Sequence, residues 1–275
     1  MVFARGTGPG SFNSLYFIHR PMKTVYLLTY CLFTSVLSAL ATPPETPPAS
    51  SRYYEMRIYY PMPGKYDAIV DRFRQYTTKI FEKHGMQNIG YWVPTDPAKQ
   101  ELIYVLAYPS RAARDSSWKA FGSDPEWRAV VAKTEANGKL VERVESIFMM
   151  ESDLSPKIEP HQAKTPRTFE LRTYTASPDK LPNLLTRFRD HTRKLFRKHD
   201  MENVAYWLTE TKNGEQPKLM YILAHPSEAE GKQHFDEFRK DKRWVKVKAD
   251  SEVNGSLTTK VESLYLKPTD YSPIQ

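Results

Sequence analysis

An amide and an indole four residues apart, Asn88 and Trp92, return as Asn203 and Trp207. On a β-strand a spacing of four puts both side chains on one face. If that face lined a chamber, the amide could hold a developing oxyanion while the indole packed against an aromatic substrate. The same residue types have a structural use: Asn satisfies the turn after a helix, and Trp fills a core. A second repeated set carries charge. Arg57 and Glu145 recur as Arg172 and Glu262, and neighbouring first and last strands would let each Arg face its Glu. Such a cross-strand pair fixes register and contributes up to about 1 kcal/mol. Tyr59 and Tyr174, two residues beyond the arginines, complete the candidate binding residues on that face.

His84 and His199 close the first helix of each copy, where the negative end of the helix dipole attracts a cation. No further ligand-type residue recurs beside them. His191 and His225 occur in the second copy alone, so metal-site spacing is absent and no metal is expected. Haem ligation is the one cofactor role these imidazoles could take; the expectation is that the protein works without a cofactor. The sequence has no Gly-rich phosphate loop and no H-E-x-x-H helix. Apart from Cys31 it holds no cysteine, which excludes disulfides, thiolate catalysis and Cys-ligated metals from the rest of the chain.

What must position these residues is a unit used twice. Phe81 to Trp92 matches Phe196 to Trp207 with Phe, Lys, His, Met, Asn, Tyr and Trp in the same order at an offset of 115. After an insertion near Asn213-Gly214 the offset becomes 117, and Tyr104-Val105-Leu106-Ala107 answers to Tyr221-Ile222-Leu223-Ala224. The exits match too: Asp153 with Ser155-Pro156, and Asp270 with Ser272-Pro273. Alternation predicts strands over 53–60, 88–93, 102–108 and 140–150. Ile69, Phe73, Tyr76, Ile80 and Phe81 at helical spacing predict one helix over 65–84, ended by Gly85. Asp124-Pro125, an N-cap followed by proline, starts another. The order is β-α-β-β-α-β, twice.

Right-handed crossovers place both helices of such a unit on one face of its sheet. Of the two faces of the first strand, Tyr54, Met56 and Ile58 are the more apolar set and are expected under the helices. Glu55, Arg57 and Tyr59 are then left to meet a second sheet.

The net charge of +8 overstates the basicity of the folded part, because residues 1–41 carry Arg5, Arg20 and Lys23 and no acid. Arg187, Arg189, Arg193, Lys194, Arg197 and Lys198 share one helix, but the counterpart in the first copy mixes its bases with Asp67, Asp71 and Glu82. This is a solvated helix face, and no nucleic-acid partner is expected. Residues 1–41 read as a leader: Met22-Lys23, an apolar run from Val25 to Leu40, and the small-residue site Ala39-Leu40-Ala41. Met22 is the natural start of such a peptide. Export to the periplasm or outside, with cleavage before Thr42, follows; a mitochondrial presequence would be Arg-rich rather than continuously apolar. No stable membrane span is expected after cleavage. A Pro-rich linker occupies 42–51, the first domain 52–154, a second linker 155–167, and the second domain 168–275.

The E-[ML]-R-x-Y strand, the F-x-K-H-x-M-x-N-x-x-Y-W stretch and the Ala107-Tyr108-Pro109-Ser110 turn resemble the NIPSNAP family over 53–154 and 168–272. The second copy departs at His225 and Phe235, where the first has Tyr108 and Trp118. The resemblance implies an α+β fold: two tandem ferredoxin-like (βαββαβ) domains whose sheets pair as an α+β barrel. It implies no agreed reaction, although the wider barrel superfamily includes haem-binding enzymes and cofactor-free monooxygenases. Because structural residues persist in both copies, the expectation is a binding module for a small apolar ligand or a protein partner, able to form a homo-oligomer. The alternative is a monooxygenase-like or haem-binding enzyme acting on aromatic or quinone-like substrates.

Overall fold

The computed structural model describes residues 52–212 and 214–275, so the readings of the leader, its cleavage before Thr42 and the 42–51 linker fall outside the described residues. The first half runs β1 (Tyr53–Pro61), α1 (Tyr66–Arg72), a π-helical turn (Phe73–Thr77), α2 (Thr78–Lys83), β2 (Gln87–Pro94), β3 (Leu102–Tyr108), α3 (Arg111–Ser123), α4 (Pro125–Thr134) and β4 (Val141–Glu151). The second half repeats it: β5 (Thr168–Ala176), α5 (Leu181–Arg187), a π-helical turn (Phe188–Thr192), α6 (Arg193–Lys198), β6 (Glu202–Thr209), β7 (Lys218–His225), α7 (Glu228–Lys240), α8 (Lys242–Ser251) and β8 (Thr258–Pro268).

The element boundaries have local causes. Ser110 and Ser227 cap α3 and α7 by accepting from Ala113 N and Glu230 N, and Asp124 and Asp241 cap α4 and α8. The helix expected over 65–84 carries a wide turn in its middle. Thr77 Oγ1 bonds back to Arg72 O at 3.2 Å, five residues earlier, and Thr192 does the same to Arg187. Gly85 ends the first helix at φ +72°, while Asp200 holds the equivalent left-handed position at φ 53°.

The eight strands close into one barrel in the order β1-β3-β2-β8-β5-β7-β6-β4. Each half contributes four antiparallel strands in its own order 4-1-3-2, so the first and last strands are neighbours as the sequence reading requires. The halves join edge to edge within the single chain. Three pairs make each seam: Trp92, Val93 and Pro94 against Pro268, Lys267 and Leu266, and Met149, Met150 and Glu151 against Thr209, Leu208 and Trp207.

The chain exits clasp these seams reciprocally. Ser155, leaving the first half, accepts the N–H of Tyr206 at 3.1 Å, and Asp153 pairs with Arg189. Ser272, leaving the second half, accepts the N–H of Tyr91 at 2.9 Å, and Asp270 pairs with Arg74. The matched exits seen in the sequence are thus a two-way fastening between halves.

The strand faces are opposite to the expectation. Tyr54, Met56 and Ile58 point into the barrel, with Ile103, Val105, Met149, Phe169, Leu171 and Ile222. The Glu55–Arg57–Tyr59 face lies beneath the helices. Tyr59, Tyr91 and Tyr104 pack there against Phe73 and Phe81, and Tyr174, Tyr206 and Tyr221 pack against Phe188 and Phe196 in the second half. The physical reason is dryness. The interior of a narrow closed barrel offers no room for a long cation, whereas the sheet–helix layer reaches solvent at its margins.

Candidate functional site

Under α3, Glu55 is completely buried and fully bonded. Arg114 grips it with a two-pronged fork, Nε and Nη2 each 2.8 Å from a carboxylate oxygen. Arg57 Nη1 donates at 2.9 Å and Trp118 Nε1 at 2.9 Å, and the Trp118 ring lies 4.2 Å beneath the Arg57 guanidinium. Tyr108 stands at 3.4 Å from the same carboxylate and takes a second bond from Trp118. Burial pushes the Glu55 carboxyl up, but the Arg114 hydrogen bonds and the charges of Arg57 and Arg114 outweigh it. The group sits below the usual carboxylate range. Planar forks of this kind are the strong form of ion pairing.

The second half rebuilds this centre with different parts. Glu170 is buried and takes Arg172 Nη1 at 2.5 Å, while Arg172 also reaches the hydroxyls of Tyr221 and Tyr174 and stacks over Phe235 at 4.0 Å. At the places of Tyr108, Arg114 and Trp118 stand His225, Gly231 and Phe235.

The expected Arg57–Glu145 and Arg172–Glu262 pairs do not form. Arg57 stands opposite Ser146 and pairs along its own strand with Glu55, while Glu145 is exposed beside Tyr60 at 3.3 Å and Arg143 at 3.5 Å. Glu262 is likewise exposed and pairs with Lys260 at 2.7 Å. Strand parity is the reason. Arg57 faces the helices and Glu145, opposite Ile58, faces the other side of the sheet.

Asn88 and Trp92 also part company. The ladder between β2 and β3 slips between Asn88 and Gly90, and an identical slip separates Asn203 from Ala205. One extra residue in a strand reverses its alternation. Asn88 therefore faces the helix, donating to Thr78 O at 3.1 Å and Glu82 at 2.9 Å and accepting from Tyr91 Oη. Asn203 repeats this with Arg193 O and Tyr206. Trp92 and Trp207 point into the barrel, each against an aromatic ring of the other half, Phe169 and Tyr54, both at 5.9 Å. Gly90 leaves room for the Trp92 indole, since a Cβ there would come within 2.0 Å of it. Amide and indole thus share no chamber, and the arrangement holds no oxyanion pocket between them.

His84 and His199 hold the caps of the neighbouring helices. Their Nε2 atoms lie 2.6 Å from Asp124 and 3.0 Å from Asp241. Lys83 and Lys198 join the same carboxylates, and these lysine hydrogen bonds, helped by the histidines, hold both aspartates well below the usual range. Nε2 of His84 and of His199 is thus engaged at a helix cap, and His225 is buried beneath α7. Among the described residues no group of three His, Cys, Asp or Glu is placed to hold a metal ion. Among the same residues no helix is long and apolar enough to cross a membrane. A 620 Å³ cleft opens on the outside of the barrel, between α5 and α8, lined by Arg187, His191, Lys246 and Asp250.

Sequence reasoning passed over Glu55, Glu170, Arg114 and the buried pairs Arg72–Glu135 and Arg187–Glu252, both 2.8 Å. Glu55 and Glu170 carried a signal, recurring two residues before the arginines. Arg114 carried none, because Gly231 stands in its place.

An eight-stranded antiparallel barrel jacketed by helices and built from two like halves defines an α+β barrel protein. The NIPSNAP family model matches residues 54–156 and 169–273, and the chain belongs to that family. No curated protein sequence matches it. An uncharacterized NIPSNAP-like domain protein from Burkholderia xenovorans is similar at 19% identity, covering 42% of this chain and 97% of its own, with a TM-score of 0.36. A NIPSNAP family protein from Agrobacterium tumefaciens is similar at 24% identity over 38% of this chain and 97% of its own, with a TM-score of 0.35. A monooxygenase candidate from Fusobacterium nucleatum spans more, 80% of this chain and 93% of its own, at 10% identity and a TM-score of 0.55. That likeness shows the barrel fold alone.

Proposed function

We propose that this NIPSNAP-family chain is a binding module and not a catalyst, made of two ferredoxin-like units and exported by a leader removed before Thr42. The observation that carries the reading is the packed barrel axis. Trp92 and Trp207 are 1% and 0% exposed, and Tyr54, Met56, Phe169 and Leu171 close around them. A cofactor-free monooxygenase would need that volume for its substrate. The strongest polar constellation, around Glu55, is saturated with donors and holds α3 to the sheet, which suits a structural part. Ligand or partner then meets the outer surface, without a cofactor, and the ligand class is apolar or proteinaceous. The module can also associate with further copies of itself.

The test is a turnover screen of the purified mature chain against quinols, aromatic aldehydes and peroxide, with and without haem. No turnover is expected. Turnover that vanishes on Trp92→Ala or Asn88→Ala while the fold persists would replace this reading with the enzyme. Intact-mass measurement on protein from its native host decides the leader: a dominant species retaining Met22 refutes cleavage.

A further inference from the structure

The last strand of each half is only partly used by the barrel. β4 joins β6 at Met149, Met150 and Glu151, and β8 joins β2 at Leu266, Lys267 and Pro268. Towards their starts both strands keep β1 or β5 on one edge and, among the described residues, no strand on the other. Glu142 to Ser146 and Thr259 to Ser263 are accordingly exposed without a break, on both faces of the sheet. Each run has a valine at its centre, Val144 at 38% and Val261 at 46% exposure. An edge of this kind is a template on which another strand can pair.

The seam fixes the backbone phase of β4. Glu210 N donates to Phe148 O at 2.8 Å, and Ser152 N donates to Tyr206 O at 3.0 Å. Phe148 and Ser152 therefore turn their backbone groups to the β6 side, and a period of two carries that orientation back to Ser146 and Val144. The ladder with β1 stays regular as far as Arg143 and slips beyond it at Glu142. Arg143 lies over the Tyr60 ring at 3.5 Å and stands 3.5 Å from Glu145. An antiparallel copy centred on Val144 would exchange both backbone bonds of Val144 with its own counterpart. Arg143 of each chain then meets Glu145 of the other, at the pairs where facing side chains approach more closely. Centring the copy on Arg143 or on Glu145 would instead set like charges opposite one another. Charged side chains usually guard an edge against its own copies; their order here favours one copy in one register.

We propose that the outer edge of β4 is the surface through which two copies of this chain associate, antiparallel about Val144. The inference rests on the self-association in the reading above and gives it a surface. β8 carries the same order in Lys260-Val261-Glu262, with Lys260 2.7 Å from Glu262, but its cation differs. A lysine ammonium is strongly hydrated on a flexible stem and is the usual guard of an edge. The Arg143 guanidinium is already held on an aromatic ring. With one docking edge the two-fold pair closes, whereas two would let copies add without limit. The ladder is short, because Phe148 is taken by Glu210 and Glu142 sits in the slip. The dimer is therefore weak and reversible.

Sedimentation velocity of the full chain over a concentration series reads the association, and amide hydrogen exchange at the same concentrations reads the edge. The protein should pass from monomer to dimer and no further, with the Val144 amide gaining protection as dimer forms and the Val261 amide gaining none. Val144→Pro removes the outward N–H and no bond to β1, and should weaken the dimer about tenfold or more, since each chain loses a donor. Arg143→Glu should weaken it several-fold, and Arg143→Glu combined with Glu145→Arg should restore it, because the swap rebuilds both pairs. Val261→Pro should leave it unchanged. Should Val144→Pro fail to fold, the charge swap and the wild-type exchange decide alone. A chain monomeric at every concentration would overturn this surface and self-association together. A dimer indifferent to Val144→Pro and to the charge swap would overturn the surface and leave self-association standing. Neither result moves the binding reading, which the turnover screen decides.

Discussion

Arg114 reaches from α3 to Glu55 on β1 and closes a two-pronged ion pair, both prongs 2.8 Å, around a carboxylate that no solvent touches. A helix and a sheet are joined there by charge as well as by packing. Arg114→Ala leaves Glu55 buried with two of its five donated hydrogen bonds gone and should cost about 2–4 kcal/mol, toward the range seen when buried pairs are broken. Glu145→Gln, at an exposed carboxylate, should change stability by less than about 0.5 kcal/mol. Chemical denaturation of both variants checks the contrast. A larger loss for Glu145→Gln would return weight to the cross-strand pairing first expected from the sequence.

Acid should act through the same residues. Burial raises the Glu55 and Glu170 carboxyls, yet Arg114 and Arg57 at Glu55, and His225 followed by Arg172 at Glu170, bring both below the ordinary value. A carboxylate with a depressed folded value stabilises above its unfolded value, about 4.3, and that contribution is lost as pH falls through the folded value. Thermal midpoints should therefore drop steeply below about pH 4. Glu55→Gln should begin lower and fall less over that interval. An equally steep fall in the variant would assign acid sensitivity elsewhere.

The exits predict how tightly the halves are coupled. Ser272→Ala leaves the buried N–H of Tyr91 without an acceptor, and Ser155→Ala does so for Tyr206. Each should cost about 1–3 kcal/mol, the penalty of an orphaned buried donor. Since each serine spans a seam, both losses should appear in one cooperative unfolding transition. Two separated transitions would show halves that unfold independently.

One of two left-handed aspartates in the second half, Asp179 and Asp200, offers a gain. Asp200 sits at φ 53° where the first half places Gly85. Asp200→Gly relieves a strain of about 1–2 kcal/mol and loses part of it to the greater freedom of an unfolded glycine. A net rise of about 0.5 kcal/mol should appear in denaturant titrations, and a fall would mean the Asp200 side chain contributes a bond of its own.

Much of this architecture was legible in the chain, and the reasons for the rest are specific. The duplication from Phe81 to Trp92 and Phe196 to Trp207, with Ser110, Asp124 and their copies as caps, carries element order, type and approximate length. That the two sheets pair was legible as well, but closure within one chain rather than between chains is seen only in the seams of β2 with β8 and β4 with β6. Two things escaped. Alternation separates the Tyr54 face from the Glu55 face but does not say which enters the barrel. Counting by four from Asn88 to Trp92 assumes an unbroken pleat, and the slip at Ile89 breaks it. The centre at Glu55 was hidden for a third reason. Its strongest partner, Arg114, lies 59 residues away and has no counterpart in the second half.

The barrel interior is packing and not a chamber, and a crystal of the protein soaked in a small quinone is the sharpest check. Ordered ligand density, where there is any, should lie on the outer surface alone, with Trp92, Trp207, Tyr54 and Phe169 unmoved. Ordered quinone density among those four side chains, at full occupancy and with the indoles displaced, would contradict it.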